Sequence, residues 1–142
     1  MADHDSPIAR TKHGDLTLDQ IGEMQPGMAR LMVEVSDRYW LLYYAAKGGN
    51  WDLARHELSE LRKTLRLAGV ARPKYVESLA QFEAECLEPL ATTVHARAWD
   101  DFEAAYRRAT DDANGKHREL GYEYIEWRLP DGPPGHLRLS EA

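Results

Sequence analysis

The chain has a single cysteine, Cys86, in 142 residues. That excludes an intrachain disulfide and any cysteine-pair site for a metal or a thioether-linked haem. No apolar run approaches the ~20 residues that span a bilayer. The first fifteen residues, MADHDSPIARTKHGD, contain no apolar signal core. The expectation is a cytoplasmic protein, or a periplasmic one if a signal peptide was removed. Basic residues number 18 against 24 acidic ones, for a net charge of −6. This balance argues against a phosphate-tracking surface and against a polybasic membrane patch, so neither nucleic acid nor membrane is expected as a partner. The sequence has no G-x-G-x-x-G, P-loop, H-E-x-x-H or G-x-S-x-G motif. Leu53, Thr92 and Asn114 stand three residues before His56, His95 and His117. The Glu-x-x-His pairs of di-iron bundles are therefore missing, and no dinuclear metal site is expected.

What is present is helical periodicity. A hydrophobic fraction of 43% with 30% charged residues suits one soluble domain with a real core. Residues 1–16 read as a disordered tail, with His4 and His13 solvated. Thr17 followed by Gln20 forms a weak capping box, and Pro26-Gly27 breaks the segment before the first main helix. That helix spans about Gly27 to Lys47, with Met28, Leu31, Val35, Tyr39, Leu42 and Ala46 facing inward. Trp40, Tyr43 and Tyr44 make its C-terminal end apolar or aromatic nearly all round. Gly48 or Gly49 can supply a left-handed C′ residue, and Asn50 an N-cap. So short a connection makes the next helix, Trp51 to about Ala68, an antiparallel neighbour, with Gly69 closing it.

Helix three starts near Pro73 and carries Val76, Leu79, Phe82, Cys86, Leu90 and Val94 inward. Pro89 should kink it around Glu85 to Pro89. Cys86 reads as a small buried hydrophobe. The last helix holds Phe102, Tyr106, Ala109, Ala113 and Leu120 on one face, and His117 falls on the same face. Such a histidine is either hydrogen-bonded to a carbonyl or carboxylate, a ligand to metal or haem, or a general base. Asp111-Asp112 reads as a solvated face. Residues 122–142 are rich in Pro and Gly, and Tyr122 to Leu129 should lie extended against the helices. The expected fold is therefore an all-α, antiparallel up-down four-helix bundle over residues 17–121, with an extended C-terminal tail.

Several blocks carry a further signal. They are Gln25-Pro26-Gly27-Met28, Asp37-Arg38-Tyr39 and Leu42-Tyr43-Tyr44-Ala45-Ala46, followed by Gly48-Gly49-Asn50-Trp51-Asp52-Leu53-Ala54. Later come Phe102, Ala105-Tyr106, Ala113-Asn114-Gly115-Lys116-His117 and Pro133-Pro134. Together these make residues 17–135 resemble a family of small c-type cytochrome-like proteins with the cytochrome c-prime bundle. Those relatives carry Cys-x-x-Cys-His where this chain has Ala113, Lys116 and His117. The resemblance therefore implies a bundle whose covalent haem site has been dismantled.

The resemblance implies a relative without haem c that binds a small ligand near His117, non-covalent haem being one candidate, with His117 then the only metal ligand. Met28, Met32, Arg38, Tyr39, Glu57, Tyr106, Ala113 and His117 are the expected pocket residues. One alternative is a cofactor-free enzyme acting on a small organic molecule, with His117 as catalytic acid or base beside Arg38 and Glu57. The other is a structural or interaction module with a collapsed pocket, a second copy being one partner.

Overall fold

The computed structural model describes residues 6–140. It is mostly helical, with one small two-stranded sheet. Strands β1 (Pro7–Thr11) and β2 (Gly14–Thr17) pair antiparallel. The expected disordered tail over 1–16 is thus corrected from Pro7 onward, while its first five residues and His4 lie outside the described part. Lys12 and His13 form the two-residue turn, with Gly14 at φ +135° opening the second strand, a local signal that composition alone reads as a tail.

Helix α1 (Leu18–Met24) begins at Thr17. The capping box forms: the Gln20 amide donates to Thr17 Oγ1 at 3.1 Å, and the Thr17 amide to Gln20 Oε1 at 2.9 Å. Pro26 and Gly27 separate α1 from α2 (Met28–Lys47). Gly49 takes the left-handed conformation (φ +79°), and Asn50 caps α3 (Trp51–Ala71) by accepting from the Leu53 amide. Helix α3 runs past Gly69 rather than ending there. Gly69 is buried within the helix beside Val76 and Leu79, where a Cβ would make only ordinary contact.

The segment from Pro73 to Ala96 is one rod with a defect. A 3₁₀ turn (Pro73–Tyr75) leads into α4 (Val76–Phe82), a π turn (Glu83–Leu87) and α5 (Glu88–Ala96). The π turn sits just ahead of Pro89, which has no amide to donate back along the helix. Arg97 in the left-handed region (φ 53°) ends α5, and α6 (Trp99–Glu119) follows. Helix α2 packs on α3 and α6; α5 packs on α3 and α6 as well. The core between them comprises Tyr39, Leu42, Ala54, Leu58, Leu61, Leu87, Leu90, Phe102 and Tyr106, among others. No described helix is long and apolar enough to cross a membrane.

Candidate functional site at the aromatic junction of α2 and α6

Tyr39 on α2 and Tyr106 on α6 lie opposite each other because both helices put an aromatic residue on the inward stripe. Their rings stack with centroids 4.0 Å apart and planes 8° from parallel. Each phenol donates to the other residue's backbone carbonyl at 2.7 Å. The Tyr39 hydroxyl also meets Thr110 Oγ1 at 2.9 Å. This reciprocity satisfies two buried polar groups without water. Burial pushes both phenols above their ordinary value.

A third ring closes the junction. Beyond α6, Gly121 turns left-handed (φ +83°) and sends the chain back along α6 toward α2. The His117 carbonyl accepts from the Tyr122 amide at 2.7 Å. Asn114 then grips Trp127 through its side-chain amide: it accepts from the Trp127 amide at 2.8 Å and donates to its carbonyl at 3.1 Å. The Trp127 ring meets Tyr39 edge-on at 4.8 Å and Tyr106 at 6.1 Å, and its indole N–H donates to Ser36 Oγ at 2.9 Å. Farther along, the Tyr44 hydroxyl donates to the Pro130 carbonyl at 2.6 Å, and the Trp40 indole to that of Gly132 at 2.9 Å. Gly48 leaves room for the end of this strap, since a Cβ there would come within 2.4 Å of the Leu139 carbonyl oxygen.

His117 is not an inward core residue. It is half-buried near the end of α6, and its Nδ1 lies 3.1 Å from the Ile125 carbonyl oxygen. The stripe leaves the core after Ala109: Ala113 is half-buried and Leu120 exposed, where α6 is met by the returning strap and, at Asp112 and Lys116, by the π turn and α4. A carbonyl only accepts, so in this contact Nδ1 is the donor. The enzyme reading set Arg38 and Glu57 beside this histidine. They instead pair with each other across α2 and α3, Arg38 Nη1 donating to Glu57 Oε2 at 2.9 Å. Arg38 Nε also holds Glu34 at 3.0 Å. Burial alone would lower the Arg38 pKa; the bonds and charges of Glu34 and Glu57 outweigh it and raise the value. Met28 and Met32 are half-buried on α2, and Met32 packs against the core. Of the eight expected pocket residues, then, Tyr39 and Tyr106 meet each other, Arg38 and Glu57 meet each other, and Ala113 and His117 share the end of α6.

The comparisons found nothing: no known family, curated protein or solved structure matches this chain.

Among the described residues, no group of three or more His, Cys, Asp or Glu side chains could hold a metal. Asp112, expected on a solvated face, is half-buried, and its Oδ2 is enclosed without a hydrogen-bond partner. It lies against Cys86 on the π turn. Burial, then the nearby Asp112 charge, push the Cys86 thiol up to about 11 from its ordinary 9.0. A raised acid pKa favours the neutral form in the fold. The stability it contributes is complete below pH 9.0 and is lost as pH rises toward 11. Tyr39 and Tyr106 act in the same sense above 10.0. Urea titrations should show stability falling on the order of 1–2 kcal/mol between pH 9 and 11. Cys86→Ala should flatten the early part of that fall. A stability curve level to pH 11 would refute the assignment.

Sequence reasoning missed Ser36, Thr110, Asn114 and Asp112. Polar residues on half-buried helix faces carry no periodic mark, and their partners lie up to 91 residues away in sequence.

Proposed function

We propose that the chain is a four-helix, up-down bundle on the cytochrome c-prime plan, without haem, that works as an interaction module joining two copies of itself. The observation carrying this reading is the N-terminal unit. From Pro7 to Met24 it forms a hairpin and a helix, yet none of its residues is buried. Ile8, Leu18, Ile21 and Met24 are all exposed, Met24 at 65%. Leu18, Ile21 and Met24 recur every three residues and so share one face of α1. A lone two-stranded hairpin is marginal in water at best, and seven residues are too few for an independent helix. Such a unit gains its stability by covering that face.

A second copy suits it. The β1 strand and its turn carry Arg10 and Lys12, whereas α1 carries Asp19 and Glu23 and no base. A twofold contact sets each copy's basic strand against the other's acidic helix. Light scattering should give twice the 16.2 kDa chain mass at micromolar concentration. The pair Ile21→Asp and Met24→Asp should return it to one chain mass with an unchanged helical spectrum. A wild-type monomer at high micromolar concentration would refute the reading.

The haem-free part rests on the filled junction. Tyr39, Tyr106 and Trp127 occupy the space between α2 and α6 next to Ala113 and His117, and the interior is close-packed there. On this reading Trp127, packed on Tyr39 and Tyr106, takes volume that a porphyrin would need. Added haemin should therefore give no Soret band beyond that of free haemin. A shifted band that disappears in His117→Ala would overturn this and assign Nε2 as the ligand.

A further inference from the structure

Helices α3 and α5 leave a groove of about 380 Å³ on the face away from the strap. That lies at the small end of the roughly 300–1,000 Å³ typical of ligand pockets. Its floor is apolar: Leu58 and Val94 are buried, and Ala91 half-buried. Its rim is cationic, formed by Arg55, Arg62 and Arg66 with Ser59 and His95 also lining it, and no carboxylate among the described residues does so. This is a local excess of positive charge on a chain of net charge −6.

The acids nearby are already shared. Glu83 and Glu88 both hold Arg62, at 2.6 and 2.5 Å, which fixes that guanidinium at the groove's edge. Arg66 reaches only Glu83, at 3.7 Å, and Asp52 is divided between Arg55 at 3.2 Å and Arg97 at 3.6 Å. Arg55 and Arg66 are each more than half exposed, so their forks keep donors in reach of a ligand.

We propose that this groove binds a small amphiphilic carboxylate. Its anionic head would lie on one exposed guanidinium of the rim, that of Arg55 or that of Arg66 three turns further along the same face of α3, each offering the planar bidentate match to a carboxylate. Its apolar body would cover Leu58, Ala91 and Val94, the part a bare inorganic anion leaves uncovered. Arg62 acts as a positioning residue, held by its two glutamates. The site is independent of how copies of the chain associate, since it lies on other elements than β1, β2 and α1.

The test is calorimetry and amide NMR on the full chain at low salt with sodium octanoate as the probe. Octylammonium chloride and sodium phosphate serve as controls. The expected result is saturable octanoate binding with shifts concentrated at residues 58, 91, 94 and 95. The double variant Arg55→Ala, Arg66→Ala should weaken it about tenfold or more. Both side chains are exposed, so the fold should be retained, as circular dichroism would show. Four results would each overturn the proposal: no saturable octanoate binding at millimolar concentration, equal binding of octylammonium, phosphate bound as tightly as octanoate, or a double variant of unchanged affinity.

Discussion

Replacing Tyr106 by alanine is expected to cost about 3–5 kcal/mol, the range for removing a fully buried aromatic ring from a core. Tyr106 is 1% exposed, and three losses coincide there. The stack on Tyr39 goes, the bond to the Tyr39 carbonyl goes, and a ring-sized void opens beside Trp127. Against a total stability of about 5–15 kcal/mol for a domain, this is a large fraction. Tyr106→Phe separates packing from hydrogen bonding. It keeps the ring and loses one bond to a carbonyl that already lies inside α2, so about 1 kcal/mol is expected. Urea unfolding followed by circular dichroism measures both. The native fluorescence of Trp127 should also move toward that of an exposed indole in Tyr106→Ala alone. A cost below about 1.5 kcal/mol for the alanine variant would mean that the junction is not the packed centre described above.

Arg38→Ala is the second large effect. Glu57 is 5% exposed, and its Oε2 accepts from Arg38, whose side chain is 25% exposed. Removing one partner of a buried ion pair strands the other charge, at about 3–5 kcal/mol. Solvent reaches the arginine end, so about 2–4 kcal/mol is expected here. The second contact of Arg38, to Glu34 one turn earlier on α2, is exposed at its carboxylate and adds about 0.3–0.5 kcal/mol. A double-mutant cycle decides the cause. Arg38→Ala in a Glu57→Leu background should cost less than 1 kcal/mol, since no stranded carboxylate remains. Equal costs in both backgrounds would show that Arg38 acts through packing of its stem instead.

The two pairs differ in how far the sequence displayed them. Tyr39 and Tyr106 were legible as inward residues, because a period of 3–4 places them on the stripes of α2 and α6. Their reciprocal bonds were not, since facing position and axial register are set only when the helices dock. Arg38 and Glu57 were legible as flanking residues one position off each seam. Their mutual partnership, at the expense of His117, follows from α2 and α3 being direct neighbours across the Gly48–Asn50 turn. His117 shows the limit of periodicity. Its spacing continues the face of Ala109 and Ala113, but a face is a core face only where another element covers it. Past Ala109 the cover on the side of His117 is the strap.

The amino-acid sequence alone determined the helical character of the chain, the glycine-and-asparagine turn between α2 and α3, inward positions such as Tyr39, Leu42, Leu90 and Tyr106, and the absence of any cysteine pair. Each of these follows from local conformational preference, short-range periodicity or the chemistry of a single residue type. The tertiary structure decided that Trp127 fills the α2–α6 junction, that Arg38 bonds Glu57, that Asp112 meets Cys86, and that the hairpin and α1 remain uncovered. Those outcomes depend on which surfaces meet after long loops close. The free energy that selects them comes from burial and hydrogen-bond pairing between segments up to 92 residues apart, information that no local window contains.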